Sequence, residues 1–201
     1  MSFIDPVKIG NMALSNIGSA ASIESLTEES AEAKQINLWY DFARQQCLAA
    51  LDWNFARKRA TLTTDADDPP SFDWNFRYQF PVDALAIRKL VNPVSKTDDA
   101  VPFELETNEA GTTKTIVTDM EDAIAVYTFD LTNTAMFSPL FVNAFSFLLA
   151  HYIALTLTGK KAIKDDAMQK YFITLRVAEA LNANEHVSAP PREAEWIRAR
   201  D

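Results

Sequence analysis

The side chains that most often do chemistry in proteins are few in this chain. His151 and His186 are its only histidines, and Cys47 is its only cysteine. His151 lies in a long apolar segment, without the HxxxH or Cys-His spacing that zinc sites use. We therefore predict that His151 is a structural histidine, that Cys47 is a buried and inert thiol, and that the protein has no metal site.

Phosphate and calcium chemistry lack their motifs as well. The chain has four glycines, and each of them stands alone: Gly10, Gly18, Gly111 and Gly159. Because they are scattered, neither GxxxxGK[ST] nor GxGxxG is present. Asp65, Asp67 and Asp68 lack the sixth-position glycine and the closing glutamate of a calcium loop, so we interpret them as a solvated turn.

Glu104, Glu106 and Glu109 are the only clustered carboxylates that resemble the acid pair of a glycoside hydrolase. Their setting in a predicted strand and turn indicates exposure to solvent rather than a cleft. We therefore predict no catalytic residue and no cofactor for this chain.

Charge and composition restrict the function further. The net charge is -9 and the isoelectric point is near 4.7. Proteins that bind nucleic acid by neutralising its phosphates need clustered lysine and arginine, so this charge argues against such a function. A hydrophobic content of 48% is that of a globular protein, and one domain is the default at 201 residues. Met1 to Asp5 has no basic region or apolar run of a signal peptide, and a lone cysteine fits a reducing cytoplasm.

Two helices are predicted in the N-terminal quarter. The first runs from about Pro6 to Ile17 and is closed by Gly18. The second dominates the stretch from Ser25 to Thr61 and should begin between Thr27 and Ser30. Its apolar positions cover more than one face: Ile36, Leu38, Trp39, Tyr40, Phe42, Ala43, Cys47, Leu48, Ala50 and Leu51. We expect this helix to be buried on two sides, the alternative being that one apolar face contacts another subunit.

The middle of the chain changes to the period of β-strands. We predict a strand from about Phe55 to Thr63, and an aromatic strand in which Trp74, Phe76, Tyr78 and Phe80 share one buried face. A base-stacking platform is the alternative for these four rings, but acidic neighbours favour a packed sheet. Further strands are predicted at Leu85 to Val91, Val101 to Glu106, Lys114 to Thr118 and Ala123 to Phe129. We interpret the set as a meander of antiparallel strands.

Two more helices complete the fold. Pro139 to Thr158 approaches the length of a membrane span, but its polar residues, its Ser138-Pro139 start and its Gly159 stop favour a capped helix of a soluble protein. The last helix is predicted from about Ile163 to Asn182, and five of its residues should face the core: Ala167, Tyr171, Leu175, Ala178 and Leu181.

These elements predict an α+β fold that is mainly α: a bundle of about four helices, with a small antiparallel β layer inserted between helices 2 and 3. Residues 1–183 form a single domain, helical at 5–52 and 138–183 and β-rich at 55–130. Residues 184–201 form an extended C-terminal arm, because Pro190 and Pro191 prevent regular structure there. The arm carries exposed Trp196 and Ile197 among Arg192, Arg198 and Arg200.

The order of several short motifs resembles the adaptor proteins of short-tailed bacteriophages, also called head-to-tail connectors or tail tubular proteins. The motifs are Ala13-Leu14-Ser15-Asn16-Ile17-Gly18, Ile23 to Leu26, Tyr40-Asp41-x-Ala43-Arg44, Trp53-x-Phe55-Ala56, Phe80-Pro81-x-Asp83-x-Leu85-x-Ile87, Leu149-Ala150 with Ala154, and Trp196-Ile197-x-Ala199-Arg200. Together they extend over nearly the whole chain. Each is weak alone, so the resemblance depends on their order.

The resemblance implies a structural virion protein without cofactor, assembled in the host cytoplasm and located in the neck of the tail. Members of this family form a dodecameric ring that joins the portal protein to the tail or nozzle protein, and DNA passes through the channel without specific binding. The C-terminal arm reaches the portal, which assigns the contact to Arg192, Trp196, Ile197, Arg198 and Arg200. Two alternatives remain: a virion-associated cell-wall hydrolase that uses the glutamate cluster, and a membrane-inserted pore subunit that uses Pro139 to Thr158.

Overall fold

The structure is a computed structural model, and it describes residues 4–65, 73–94 and 101–184. In these ranges the chain forms four α-helices, six β-strands and two short 3₁₀ helices. The helices are α1 Pro6–Asn16, α2 Ala31–Ala50, α3 Pro139–Thr158 and α4 Lys161–Asn184. The strands are β1 Arg57–Thr61, β2 Phe76–Gln79, β3 Ala84–Val91, β4 Glu104–Thr107, β5 Lys114–Thr118 and β6 Ile124–Phe129. The 3₁₀ helices are Asn54–Ala56 and Thr134–Met136. The predicted α+β fold, mainly helical and with its strands between helices 2 and 3, is confirmed.

Both ends of α1 follow from its sequence. The carboxylate of Asp5 accepts a hydrogen bond from the amide of Lys8 at 2.7 Å, and Pro6 occupies the first turn, where its missing N–H costs nothing. Gly18 adopts a φ of 74°, the left-handed conformation that ends helices and that glycine reaches without strain. The predicted helix from Pro6 to Ile17 is therefore confirmed to within one residue.

The start of α2 lies just beyond the predicted interval. Ser30 is the N-cap, and its hydroxyl accepts a hydrogen bond from the amide of Ala33 at 3.2 Å, so the helix begins at Ala31. Ser25 and Glu28 have the three-residue spacing of a capping box, but they do not cap this helix. Instead, the Glu28 carboxylate accepts the amides of Glu24 at 2.9 Å and Ser25 at 3.4 Å, and thereby folds the preceding loop. The segment before α2 thus contains two successive sets of capping residues. The set closer to the helix, at Ser30, determines where the helix begins.

The strands form two separate sheets rather than the predicted meander. One sheet has the order β1-β6-β3 and the other the order β2-β5-β4, and all pairs are antiparallel. The first strand of the region thus pairs with the last, which lies at the centre of its sheet. Four consecutive residues of β6 are buried, as expected for a central strand with both faces covered. The meander was wrong because strand periodicity reveals faces but not which strands pair.

The first two strands differ from the prediction in their bounds and agree with it in their buried aromatic face. β1 is shorter than the predicted strand because residues 54–56 form a 3₁₀ turn, and it ends at Thr61. In the second sheet Tyr78 is buried, and Phe76 and Phe80 pack against the same small core, so the buried aromatic face is confirmed for these three rings.

α3 lies at the centre of the helical bundle and contacts α1, α2 and α4. Ser138 caps its start by accepting the amide of Phe141 at 3.2 Å, and Gly159 ends it with a φ of 66°. By length and composition alone this helix could cross a membrane, but 56% of its most apolar window is buried inside the fold. That burial is typical of the core helix of a soluble protein.

α4 confirms most of its predicted core face. Ala167, Tyr171 and Ala178 are buried and Leu175 is partly buried, but Leu181 is 49% exposed. The prediction for Leu181 was wrong because at about 100° per residue it lies roughly 80° around the helix from Tyr171. The helix also extends to Asn184, two residues beyond the predicted end.

Some predictions concern residues outside the described ranges. These are the five arm residues Arg192, Trp196, Ile197, Arg198 and Arg200, the arm 184–201 beyond its first residue, and also His186, Asp67 and Asp68.

Candidate interaction surfaces

The side chains singled out for chemistry have structural partners. Nδ1 of His151 lies 3.0 Å from the backbone oxygen of Lys164, so the ring links α3 to α4. Cys47 is fully buried, and burial raises the pKa of its thiol well above the ordinary value. Within the described ranges, no three histidine, cysteine, aspartate or glutamate residues are grouped so that they could hold a metal ion. The prediction that Cys47 is buried is confirmed, and His151 has a hydrogen-bond partner within the fold.

The three glutamates of the hydrolase alternative are not brought together in one cleft. Glu106 accepts a hydrogen bond from the guanidinium of Arg77 at 2.8 Å, and Glu104 is exposed on the same strand. Glu109 lines an open groove of about 680 Å³ together with Asp65 and Lys114, and neither Glu104 nor Glu106 lines that groove. The three carboxylates therefore do not converge on one cleft.

Where α2 meets α3, the surface carries a group of exposed and partly buried apolar side chains, which we call the aromatic face: Leu38, Trp39 and Phe42 of α2, and Tyr152 and Leu155 of α3. The Trp39 ring stacks on the Tyr152 ring with centroids 4.8 Å apart, and Phe42 meets Tyr152 edge-on at 5.5 Å. Leu38 is 65% exposed and Phe42 is 54% exposed. The expectation that α2 is buried on two sides was therefore wrong, because its fully buried residues lie on the side of Ile36, Tyr40 and Cys47, whereas Leu38 and Phe42 on another side are more than half exposed.

A second apolar surface, the α4 face, consists of Phe172, Ile173, Val177 and Leu181. All four side chains are about half exposed. Ile173, Val177 and Leu181 are spaced by four residues, so they line up along one side of the helix. Sequence reasoning assigned only the core stripe of α4. The signal for this surface was a second apolar stripe at the same spacing.

A groove lies where the end of α4 meets the start of α3, and we call it the end groove. Its volume is about 660 Å³, and its apolar walls are Trp53, Phe55, Pro139, Leu140 and Leu181, with Ala178 between them. The amide side chain of Asn182 fixes one rim, because its nitrogen donates to the Asp52 backbone oxygen at 2.7 Å and its oxygen accepts the Asn54 amide at 3.3 Å. These hydrogen bonds tie the end of α4 to the segment after α2, and the groove beside them offers mainly apolar contact.

Two arginines connect the helices to the β1-β6-β3 sheet. Arg88 of β3 donates to the backbone oxygens of Leu48, Ala49 and Leu51 at 3.4, 2.9 and 2.6 Å, and to the hydroxyl of Thr128 at 2.8 Å. These oxygens belong to the last turn of α2, where carbonyl groups lack helical partners and a positive charge is favourable. Arg88 therefore caps α2 from the sheet.

Arg44 makes the second connection. Its guanidinium is buried, pairs with the carboxylate of Asp130 just after β6, and also donates to the Leu131 oxygen at 2.9 Å. Gln45 donates to the same carboxylate at 2.8 Å. Burial raises the pKa of Asp130, but the hydrogen bonds from Arg44 and Gln45 outweigh it and hold that pKa below its ordinary value.

The outer surface of the β1-β6-β3 sheet is polar where it is exposed. Lys58 pairs with Asp83 at 2.6 Å, and the same carboxylate accepts the hydroxyl of Tyr127 at 3.0 Å. The hydrogen bond from Lys58 is the main reason that the pKa of Asp83 is lowered. This surface shows no stripe of the kind found on α2 and α4 among the described strands.

Comparison with known proteins adds no further assignment: no protein-family model matches the chain, and no curated protein matches it significantly.

Proposed function

We propose that this protein is a structural subunit of a short-tailed phage virion. In this proposal it forms the adaptor ring that joins the portal to the tail, and its partners are further copies of the same chain, the portal protein and the tail or nozzle protein. DNA passes through the ring without specific binding. The proposal starts from the order of sequence motifs and needs no cofactor.

The observation that carries the proposal is the presence of two apolar surfaces on one chain. The aromatic face and the α4 face lie on different helices, and half-exposed apolar side chains of this number are unusual on a protein that remains alone. A subunit with two different apolar surfaces suits a head-to-tail contact, in which one surface of each copy binds the other surface of the next copy. Such contacts close into a ring when the rotation between copies allows it.

The motif residues give a second, weaker support. Arg44 of the Tyr40-to-Arg44 motif donates to the Leu131 oxygen just after β6. The indole nitrogen of Trp53 donates to the Cys47 oxygen near the end of α2, at 2.9 Å. Asp83 of the Phe80-to-Ile87 motif binds Lys58 and Tyr127. Residues of three motifs thus make hydrogen bonds that hold the fold together, as expected if the motifs specify a shared fold.

The packing of α3 at the centre of the bundle is relevant to the alternative of a membrane-inserted pore subunit. A pore subunit would present α3 to lipid, whereas α3 packs against three other helices and buries large side chains such as Phe141, Phe145 and Leu149. Partitioning of the expressed chain tests this point, since an adaptor subunit is expected in the fraction that is soluble without detergent. Obligate recovery with membranes would contradict the adaptor.

The direct test is assembly on the portal protein encoded in the same genome. We expect the isolated chain to be a monomer or small oligomer at low micromolar concentration, because a net charge of -9 opposes association. Rings should form when the portal is added and should be visible by electron microscopy. Stable rings without portal, or no association with it, would contradict the proposal.

The same assay tests the arm. Truncation before Pro190, or the substitution Trp196→Ala, should weaken docking on the portal by about 2 kcal/mol or more, since aromatic anchors often dominate interfaces. The far-ultraviolet circular dichroism spectrum should show that the helices remain. A matched control is Thr107→Ala, an exposed strand position in the β2-β5-β4 sheet, which should leave docking unchanged. Full docking of the truncated chain would remove the arm from the proposed interface.

A further inference from the structure

The end groove lies where the described chain stops. Its rim includes Leu181 and Asn182, and α4 ends at Asn184. The sequence continues through residues 185–201, and Trp196 comes 12 residues after Asn184. An apolar groove that no described side chain fills is thus followed, within a short length of chain, by a large aromatic residue and its neighbour Ile197.

The residues that line the end groove favour an apolar occupant. Phe55 and Leu140 are partly buried, and Leu181 is 49% exposed, so all three still have surface to lose to a partner. The polar groups of the Asn182 side chain are already engaged by Asp52 and Asn54. A volume of about 660 Å³ is within the usual range for pockets that enclose large side chains or small ligands.

We propose that in the unassembled protein the end groove holds the C-terminal segment of its own chain, with Trp196 and Ile197 packed against Phe55, Leu140 and Leu181. This goes beyond the adaptor function and does not depend on it. The docked segment keeps its two large apolar side chains out of water until a partner competes for them. A portal or any other partner of the arm then has to displace the segment from the groove.

Proximity decides between the chain's own segment and that of a second copy. At about 3.3–3.6 Å per residue, the 12 residues from Asn184 to Trp196 reach at most roughly 40 Å, far more than the distance to a groove that Asn182 lines. A short tether gives a local concentration in the millimolar range. That concentration is about 1,000-fold higher than that of a second copy in a micromolar solution, so the chain's own segment occupies the groove first.

Disulfide trapping in the full-length chain tests the proposal. The variant carries Leu181→Cys and Ile197→Cys, and native Cys47 can stay because it is fully buried. The matched control carries Ala180→Cys and Ile197→Cys. Ala180 is exposed and precedes Leu181 directly, so its tether to residue 197 has nearly the same length, but it lies about 100° around α4 from Leu181 and does not line the groove. Mass spectrometry and non-reducing electrophoresis measure the rate and the linkage.

We expect the first pair to form an intramolecular disulfide roughly 10-fold or more faster than the control pair, because docking raises the local concentration of the two thiols. Equal rates for the two pairs would overturn the proposal. Disulfides that link two chains through residues 181 and 197 would also overturn it, and would show that the groove accepts a second copy.

A second measurement does not depend on disulfide geometry. An environment-sensitive dye attached to Ile197→Cys should shift its emission to the red when Leu181→Glu places a charge in the groove. The control Leu38→Glu puts the same charge on the aromatic face and should leave the emission unchanged. If Leu181→Glu leaves the emission unchanged as well, the segment does not occupy the groove. Neither experiment contains a portal, so their failure would leave the adaptor proposal intact.

Discussion

The helical bundle and the β1-β6-β3 sheet of this protein differ in the chemistry of their outer surfaces. The exposed side of the β1-β6-β3 sheet carries ion pairs such as Lys58–Asp83, whereas α2 and α4 expose the aromatic face and the α4 face. Inside, both regions are closely packed: the helices share one large cluster of buried side chains, and the strands share a smaller one around Tyr78, Leu90 and Ile116. The two regions therefore differ in their exposed surfaces and not in the packing of their interiors.

This contrast indicates what the outer apolar residues are for. α3 is already covered by three other helices, and large side chains such as Phe141, Phe145 and Leu149 are fully buried there, whereas Phe42 and Phe172 remain about half exposed. Apolar side chains that the core does not need still cost free energy in water, at about 25 cal/mol for each Å². We infer that they are retained for association, and substitutions at buried and exposed positions test this inference.

The largest effect is expected from the inside of the helical region. Phe145 is fully buried and meets the Tyr40 ring at 5.0 Å, so Phe145→Ala should destabilise the protein by about 3–5 kcal/mol. Phe172→Ala removes the same side chain from the α4 face, where half of it is exposed, and should cost less than about 1 kcal/mol. Urea denaturation measures both. A large loss for Phe172→Ala would mean that the α4 face stabilises the fold itself.

An intermediate effect is expected at the junction between helices and strands. Arg88→Met keeps the length of the side chain but leaves the last carbonyls of α2 without their donor, at a cost of about 2–3 kcal/mol. The control Arg59→Met changes an exposed arginine of β1 and should cost about 0.5 kcal/mol or less. Equal midpoints in urea for the two variants would show that Arg88 does not couple the two regions.

Much of this architecture could be predicted because local signals determine it. Asp5-Pro6, Ser138-Pro139, Gly18 and Gly159 marked helix ends by capping and by left-handed backbone, and each was found at or next to a helix terminus. Strand β5 was found at its predicted residues because turns bound it closely.

The pairing of strands and the exposed surfaces could not be predicted in the same way. The contact between β1 and β6 joins residues about as far apart as Arg57 and Thr128, and periodicity contains no information about such a distance along the chain. Likewise, an apolar residue such as Phe42 has the same pattern whether it faces its own core or a partner. The end groove was missed for a related reason, since its walls come from three separate segments.

The smallest of the three effects concerns the carboxylate that joins β6 to α2. Asp130 accepts hydrogen bonds from Arg44 and Gln45, and Asp130→Asn should cost about 1–2 kcal/mol at neutral pH, because the buried guanidinium keeps only a neutral acceptor there. The pKa of Asp130 is lower in the folded protein than its ordinary value of 3.8. The stabilisation is therefore fully present above about pH 4 and is lost as the pH falls through the folded pKa.

The difference in unfolding free energy between the native protein and Asp130→Asn should accordingly shrink between about pH 4 and pH 2. Asp41→Asn is the matched control, since the Asp41 side chain also contacts Arg44, at 3.3 Å, but is 80% exposed. Water screens that pair, so its removal should cost about 0.5 kcal/mol or less. Urea denaturation at several pH values separates the two aspartates. A difference for Asp130→Asn that stays constant down to pH 2 would show that the carboxylate's charge does not hold the sheet to the helices.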